Sequence, residues 1–298
     1  MVRRGFLLSL ILCLLACGLA PGPARAAEAI FQRLAQEPGV DRKVVARLRR
    51  SGSFKVDTGI VAKNLKQSEY KAAYERFLAP ASVKKATAFL RENRTWLDEV
   101  TSGYGVGPEV VVAIFLVESD LGRYPGRYPL LKVFSSLALC DRKEYVDQVY
   151  RKLKPAYPKL DYAWLQRRAR KKAAWGYRQL VALVKLADRL EVEKVRGSWA
   201  GAFGICQFIP TSCLTYAVDG SGDGRIDLYD FEDAAASVAN YLKINGWRPG
   251  LDRKAREKVV WSYNHSKLYC ATVVELTRRL EKAGKTVKTG KTGKSGKK

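Results

Sequence analysis

Gly107-Pro-Glu-Val-Val-Val-Ala-Ile-Phe-Leu-Val-Glu118-Ser-Asp-Leu-Gly122 is the stretch that decides the fold. Its apolar residues 110–117 are typical of a buried strand or of a helix buried on every side, and periodicity alone does not separate the two. Pro108 favours a helix because its missing N–H falls where a helix leaves that group unpaired, and Glu109 complements the positive end of the helix dipole. The sequence therefore predicts a buried helix with Glu118 near its carboxyl end.

Glu118 ends this run with apolar residues before it. Low polarity and the carbonyl end of a helix both disfavour a charged carboxylate, so we expect the pKa of Glu118 to be raised. A carboxyl group that keeps its proton near neutral pH can act as a general acid. The alternative is a helix-end glutamate that turns into water, as many charged residues do.

The composition indicates a globular protein with an anionic partner. The 298 residues are 47% hydrophobic, enough for one large domain or two ordinary ones, and the formal charge is +25. Such a charge attracts nucleic acid, membrane headgroups or an acidic polymer. The single histidine, His265, and the lack of a Cys-x-x-Cys pair argue against zinc sites and histidine-dependent triads.

The first residues predict export from the cytoplasm. Arg3 and Arg4 precede an apolar stretch at 6–15 and an Ala24-Arg-Ala26 cleavage signal, so residues 1–26 are interpreted as a signal peptide. The competing interpretation is a lipoprotein box that ends at Cys17, which would leave Cys17 lipidated and the chain anchored to a membrane. Four cysteines remain in either case, and the sequence does not choose among their three pairings. They are Cys140, Cys206, Cys213 and Cys270.

Most of the chain carries helical patterns. Apolar spacing predicts short helices within residues 28–80, one helix over 80–102, a long helix that ends at Arg196-Gly197, and later helices at 234–244 and 266–284. Residues 150–172 are basic and rich in aromatics, a combination that can bind nucleic acid, but a solvated helix face is the favoured interpretation. In residues 198–210 glycines let the backbone approach a partner closely, and Gln207 needs polar partners in the fold or in a ligand.

Residues 219–230 match the calcium loop of an EF-hand. Oxygen side chains occupy positions 1, 3, 5, 9 and 12, a glycine occupies position 6, and position 7 contributes its backbone carbonyl. The residue at position 12 is an aspartate instead of the usual glutamate, so sodium or magnesium are alternatives to calcium, and an acidic turn without metal is the other interpretation. The predicted ligands are Asp219, Ser221, Asp223, Asp227, Asp230 and the carbonyl of Arg225.

Residues 282–298 form a distinct basic tail. They contain seven lysines and no acid. Because such a segment cannot bury apolar surface, we expect it to be disordered and to bind an anionic cell envelope through its charge.

Five motifs in order resemble the lytic murein transglycosylases of the membrane-bound lytic transglycosylase B type. They are Tyr104-Gly-Val-x-Pro-Glu with Val117-Glu-Ser, the segment 198–210, the loop 219–230, Ala239-Asn-Tyr-Leu with Asn245-Gly-Trp, and Tyr263-Asn-His-Ser-Lys-Leu-Tyr269. The resemblance implies a mainly α, lysozyme-like (α+β) domain over residues 27–281 that works in the periplasm. It also implies cleavage of the β-1,4 bond between N-acetylmuramic acid and N-acetylglucosamine in peptidoglycan, without hydrolysis, to leave 1,6-anhydromuramoyl ends.

The resemblance also assigns the site residues. Glu118 stands at the position of the family's single catalytic acid and base, and the sugar cleft is lined by Tyr145, Ser198, Gln207, Asn264 and Tyr269. Trp199 and Cys206 stand where the family more often has tyrosine, which affects the cleft wall and not Glu118. The ion in the loop, Ca²⁺ or Na⁺, is expected to be structural, and no cofactor is expected for catalysis.

A single acid is consistent with this chemistry. Ordinary glycosidases use two carboxyl groups, and the nearest acid in the sequence, Asp120, is expected on the opposite helix face from Glu118. One acid suffices if the substrate's own C6 hydroxyl attacks C1, since an intramolecular nucleophile has a high effective concentration. The alternatives are a hydrolytic muramidase, a secreted metal-stabilised wall-binding protein without catalysis and, least favoured for an exported protein, a nucleic-acid binder.

Overall fold

The computed structural model of the protein describes residues 22–52, 54–66 and 71–292. These residues form helices joined by short loops, with one two-stranded ribbon. The helices and strands are α1 (Gly22–Leu34), α2 (Arg42–Arg50), α3 (Thr58–Lys66), α4 (Ala72–Glu75), α5 (Pro80–Glu92), α6 (Arg94–Ser102), α7 (Pro108–Ser119), β1 (Tyr128–Pro129), α8 (Leu130–Ala138), α9 (Lys143–Leu153), α10 (Tyr162–Lys185), β2 (Arg196–Gly197), α11 (Pro210–Tyr216), α12 (Phe231–Ile244), α13 (Arg253–Tyr263) and α14 (Lys267–Thr292).

Helix α7 is the central element, and its prediction as a buried helix is confirmed. Every residue from Val110 to Leu116 is at most 1% exposed, and the helix packs against α5, α6, α12 and α14. Gly107 is extended before the first turn, and Pro108 occupies the first helical position. A helix covered on all sides needs no polar face, which explains why its apolar run lacks helical periodicity.

A smaller second core lies between α3, α9 and α10. Val61, Leu65, Val149, Leu153 and Leu165 are among its buried members. The basic residues of 150–172 lie around this core on helices and a connecting turn, with Trp164 and Tyr157 exposed at the surface. The structure thus agrees with a helical, solvated face for this stretch.

The ribbon brings the loop after α7 against the segment 198–210. Tyr128 pairs with Gly197 and Pro129 with Arg196, antiparallel. A Cβ atom on Gly126 would lie 2.1 Å from the carbonyl carbon of Gly197, so glycine is required for this close approach. The helical body with this small sheet is the mainly α, α+β architecture that the sequence predicts.

Three helix boundaries differ from the sequence prediction. The helix expected over 80–102 is two helices, because Asn93 leaves helical geometry (φ −110°, ψ 13°) and its side-chain amide donates to the Phe89 carbonyl. The long helix ends at Lys185 and not at Arg196, and a 3₁₀ turn, Leu186–Asp188, follows it. Helix α14 continues past Gly284 to Thr292, because extending a packed helix through one glycine costs only about 1 kcal/mol.

The predicted tail and signal segment are only partly covered. Residues 1–21 and 293–298 lie outside the described residues, so the signal peptide stays a prediction. In the tail that was expected to be disordered, residues 282–292 are instead the last part of helix α14. Cys17 also lies outside them. No helix within the described ranges is both long and apolar enough to span a bilayer.

The four remaining cysteines are buried thiols in the structure. Cys140, Cys206, Cys213 and Cys270 are all buried, and none is in a disulfide. Burial raises the pKa of the Cys140 and Cys213 thiols to about 12. None of the three pairings that the sequence left open is formed.

Candidate functional site

Glu118 projects from the last turn of α7. The helix ends at Asp120, which adopts the left-handed conformation (φ 56°) and donates its N–H to the Leu116 carbonyl at 3.2 Å. The Asp120 carboxylate forms an ion pair with Lys85 at 2.6 Å. Asp120 is therefore occupied elsewhere and does not serve as a second acid beside Glu118.

The Glu118 carboxyl lies in an environment that favours its protonated form. Burial raises its pKa to about 7, and the Tyr269 hydroxyl opposes part of this effect by stabilising the carboxylate. No carboxylate of the described residues contributes to the shift. Glu118 nevertheless keeps partial solvent exposure, so the carboxyl is reachable by a ligand. The raised pKa that the sequence predicts is therefore present in the structure.

Tyr269 interacts with the Glu118 carboxyl, and it is 1% exposed. Its contact with the carboxyl lacks the geometry of a regular hydrogen bond, and the hydroxyl has no other partner among the described residues. The Ser266 hydroxyl holds the start of α14 by accepting from the Tyr269 N–H at 3.1 Å. The Tyr269 hydroxyl is thus fixed beside Glu118 with hydrogen-bonding capacity left over.

Ser119 fastens the end of α7 to the segment 198–210. Its buried hydroxyl donates to the Ile205 carbonyl at 2.7 Å and accepts from the Gly122 N–H at 2.9 Å. On the other side of the segment, the Tyr263 hydroxyl donates to the Cys206 carbonyl at 2.5 Å. The segment is therefore held between α7 and α13, which fixes its residues relative to Glu118.

Gln207 and Ser198 belong to this segment, and both are partly exposed. Gln207 has a positive φ of 51°, and its amide donates to the carbonyls of Pro125 at 3.0 Å and Gly204 at 2.8 Å. The amide N–H groups are used within the fold, while the amide oxygen has no protein donor within the described chain. The Ser198 hydroxyl accepts from the Ala202 N–H at 3.1 Å.

Asn264 and Tyr145 differ in burial, because Asn264 is partly exposed and Tyr145 is buried. Asn264 ends α13 in an extended conformation and stays partly exposed, close in sequence to Tyr263 and Tyr269, whose rings lie nearly parallel (8°) with centroids 6.3 Å apart. Tyr145 is 6% exposed and packs in the main core. We use "the Glu118 site" for Glu118, Ser198, Gln207, Asn264 and Tyr269.

The sequence analysis missed three residues that shape this site. Tyr263 stacks beside Tyr269, and Tyr74 meets the Tyr269 ring edge-on with centroids 6.5 Å apart. Asn64 donates to the Trp199 carbonyl at 2.9 Å, and its own buried side-chain oxygen has no partner among the described residues. A polar residue within the apolar run of α3 was the available signal for Asn64, whereas no local pattern marks Tyr74.

A cavity of about 490 Å³ lies at the opposite, amino-terminal end of α7 and is separate from the Glu118 site. Its acidic lining is neutralised within the protein, because Arg94 pairs with Asp98 and Glu109, and Arg256 pairs with Glu281. This cavity therefore offers no unpaired acid comparable to Glu118 among the described residues.

In the predicted metal loop, Asp230 is the capping residue of helix α12. Its carboxylate accepts from the N–H groups of Glu232 and Asp233 and so caps α12. Asp233, which the sequence analysis did not select, is 1% exposed and accepts from the N–H groups of Gly220, Ser221 and Asp227. Asp233, not Asp230, is the acid of α12 that holds the loop.

The remaining loop oxygens suit a hard cation in chemistry. Asp219, Asp223 and Asp227 form no ion pair with any Lys or Arg in the described ranges, although the chain is strongly basic. Their carboxylates accept from backbone N–H groups of the loop. No group of at least three His, Cys, Asp or Glu side chains is gathered for a metal in the part of the chain that the structure describes.

The chain is similar to a known protein family and to a curated relative. Residues 23–257 match the transglycosylase SLT domain family. The membrane-bound lytic murein transglycosylase B of Escherichia coli (strain K12) is 32% identical over 176 residues, which are 59% of this chain and 42% of that protein. The match therefore spans less than half of this curated relative.

Solved structures share the fold. Soluble lytic transglycosylase SltB1 from Pseudomonas aeruginosa has a TM-score of 0.69 at 21% identity and covers 87% of this chain and 99% of its own. Escherichia coli Slt35 in complex with calcium has a TM-score of 0.65 at 23% identity, with 87% and 93% covered. SltB3 from Pseudomonas aeruginosa in complex with NAG-NAM-pentapeptide has a TM-score of 0.67 at 23% identity, with 87% and 79% covered. The predicted lysozyme-like fold is confirmed.

Proposed function

The chain belongs to the transglycosylase SLT domain family, and from this premise we propose that it is a peptidoglycan lytic transglycosylase in which Glu118 is the single general acid and base. One observation carries the proposal. The Glu118 carboxyl has its pKa raised to about 7 by burial, and no second carboxylate of the described residues acts on it. Such a group holds a proton at neutral pH and accepts one back readily.

In the first step, the Glu118 carboxylic acid donates its proton to the glycosidic oxygen between N-acetylmuramic acid C1 and N-acetylglucosamine. The C1–O bond breaks, its electron pair leaves with the protonated oxygen, and positive charge develops on C1 and the ring oxygen. In the second step, the C6 hydroxyl oxygen of the same muramic ring attacks C1 while the Glu118 carboxylate removes the hydroxyl proton. The product is a 1,6-anhydro ring, and Glu118 returns to its acid form.

Tyr269 supports the charged half of this cycle. After the first step Glu118 is a carboxylate in a site that disfavours charge, and the Tyr269 hydroxyl is the group that lowers its pKa. Because this contact lowers the pKa of Glu118, it stabilises the carboxylate that must then act as a base. Ser198, the Gln207 amide oxygen and Asn264 supply polar edges for the sugar, since all three residues keep partial exposure.

The product end groups test the proposal. Mass spectrometry of muropeptides released from purified peptidoglycan is expected to show anhydro ends, lighter by one water than reducing ends. Glu118→Gln should release at least about a thousandfold less product, because amide protons are not donated to a leaving group. Glu99→Gln, an exposed glutamate on α6, is the matched control and should behave as the unaltered protein.

Three outcomes of that experiment would replace the proposal. Reducing ends would indicate a hydrolytic muramidase that uses water in place of the C6 hydroxyl. Undiminished release by Glu118→Gln would mean that another residue is the catalyst, whereas no release by any form would favour a wall-binding protein whose Glu118 is structural.

We further propose that the protein acts in the periplasm or at the envelope. Helix α1 begins at Gly22 and buries Ala26, Ile30 and Phe31, so processing before Cys17 would leave the helix whole, while cleavage after Ala26 would remove its first residues. Intact mass of the exported protein separates the two interpretations, because a lipidated Cys17 adds acyl mass to a longer chain.

The loop 219–230 is proposed to hold one structural ion, Ca²⁺ or Na⁺, through Asp219, Ser221, Asp223, Asp227 and the Arg225 carbonyl. Asp230 is a weaker candidate because it caps α12. The bound ion would neutralise the loop carboxylates. The thermal midpoint is expected to rise with millimolar Ca²⁺ and to fall with chelator, and Asp223→Asn should reduce the response. A thermal unfolding midpoint that changes with neither Ca²⁺ nor Na⁺ contradicts the proposal.

A further inference from the structure

Two cationic side chains meet at Tyr128 on the β1–β2 ribbon, and a third lies on the opposite strand. Lys63 of α3 lies with its Nζ 2.9 Å from the Tyr128 hydroxyl, and Arg127 interacts with the same hydroxyl. Arg196, on the opposite strand, donates to the Arg127 carbonyl at 3.3 Å. We call Lys63, Arg127, Tyr128 and Arg196 the ribbon cluster.

The cations of the ribbon cluster have no acidic partner among the residues that the structure describes. None of the three forms an ion pair with any carboxylate in residues 22–52, 54–66 and 71–292, whereas nearby Lys132 is paired with Asp57 at 3.0 Å. Two cations held at one hydroxyl repel each other, so an anion placed between them would be bound favourably. The lowered pKa of Tyr128, caused by Lys63 and Arg127, reports the same positive field.

The ribbon cluster borders the Glu118 site. Tyr128 pairs with Gly197, whose next residue is Ser198, and the Pro125 carbonyl accepts from the Gln207 amide. On α3, Asn64 follows Lys63 and contacts the Trp199 carbonyl. A ligand that occupies the site at Ser198 and Gln207 therefore has its neighbouring substituents within reach of the cluster.

We propose that the ribbon cluster binds a carboxylate of the peptide stem that a peptidoglycan strand carries on its muramic acid. This inference rests on the proposed function. Lysine and arginine donate charge-assisted hydrogen bonds to carboxylate oxygens, and arginine does so through two parallel N–H groups. The Tyr128 hydroxyl accepts from Lys63 and so keeps its own proton to donate outward. The cluster selects strands whose stems carry free carboxylates over strands whose stems are neutral.

Binding is measured separately from turnover. In the Glu118→Gln background, the protein is titrated with NAG-NAM-pentapeptide and with the same compound after its peptide carboxyls are converted to amides. At low salt the acid form is expected to bind about tenfold more tightly, as two exposed ionic contacts allow. Adding Lys63→Ala and Arg127→Ala should remove this preference. Lys43→Ala with Arg50→Ala on α2 deletes two exposed cations away from the ribbon and should keep it.

A second measurement does not depend on variants that must fold. The ratio of the affinity for the acid form to that for the amide form should fall toward one as salt is raised to about 1 M, where the screening length falls to about 3 Å. Equal affinity for the acid and amide forms at low salt, or a preference kept by the Lys63→Ala, Arg127→Ala protein, overturns the inference. Release of anhydro muropeptides from purified peptidoglycan by the active protein would leave the proposed function intact in that case. Failure to release them removes both the proposed function and the inference.

Discussion

At the scale of single residues, Glu118 has two opposing influences on its protonation. Burial raises the pKa to about 7, whereas the Tyr269 hydroxyl lowers it. In the proposed mechanism the balance matters because the acid gives up a proton in one step and regains it in the next. A carboxyl without Tyr269 would be a weaker acid that gives up its proton less readily, and one without burial would already be ionised at neutral pH.

Tyr269→Phe tests this balance. Loss of the hydroxyl should raise the pKa of Glu118, so the alkaline limb of the pH profile of kcat/KM, set near pH 7 by ionisation of the acid, should move to higher pH. The maximal rate should fall by about tenfold, since the carboxylate formed in the first step loses the hydroxyl that stabilises it. The profile is read from soluble fragments released between pH 5 and 9.

Tyr263→Phe is the matched comparison. Tyr263 lies beside Tyr269, but its hydroxyl donates to the Cys206 carbonyl and is not among the groups that shift the pKa of Glu118. The alkaline limb of the pH profile of Tyr263→Phe should therefore stay at the same pH as in the unaltered protein. A limb that moves equally in both variants would mean that the Tyr269 hydroxyl has no specific effect on Glu118.

At the scale of elements, two acids of α12 have separate tasks. Asp230 caps the first turn, and Asp233 points back into the loop and satisfies three of its N–H groups from a buried position. A cap contributes about 1 kcal/mol, whereas the loss of a buried carboxylate with several donors costs about 3 kcal/mol.

Asp233→Ala is therefore expected to lower the free energy of unfolding by about 3 kcal/mol, and Asp230→Ala by about 1 kcal/mol. Denaturant unfolding in the presence of chelator measures both, so that ion binding does not contribute. Similar losses in the two variants would show that Asp233 does not anchor the loop more strongly than its neighbour.

At the scale of the whole molecule, the positive charge of +25 is the dominant property. Residues 285–298 carry six of the lysines and no acid, so a protein without them has a formal charge of +19. The remaining charge is still large, which means that the folded body and the tail both attract an anionic envelope.

Deletion of residues 285–298 should weaken binding to isolated sacculi at low salt and reduce its salt dependence, while the rate on soluble muropeptides stays within about twofold because the Glu118 site lies in the folded body. Sedimentation of the protein with sacculi at several salt concentrations measures the change. Unaltered binding at low salt would give the tail some other purpose.

The sequence by itself determined the helical architecture and the position of Glu118 at the end of a buried helix. The run at 110–117 is apolar on every face, and Pro108 starts it, so a buried helix ending near Glu118 follows from local patterns that survive folding. The raised pKa also followed, because burial of a helix end acts on whichever carboxyl stands there.

Only the tertiary structure decided which groups surround that acid. Tyr74 and Asn64 reach the site from helices distant in sequence, and Lys63 and Arg127 converge on Tyr128 without any shared local pattern. Packing also decides which backbone N–H groups and carbonyls need a side-chain partner. This explains why Asp230 caps α12 while Asp233 anchors the loop, and why α5 ends at Asn93. Periodicity records which face of an element is buried, whereas the partners across that face are set by how the elements pack.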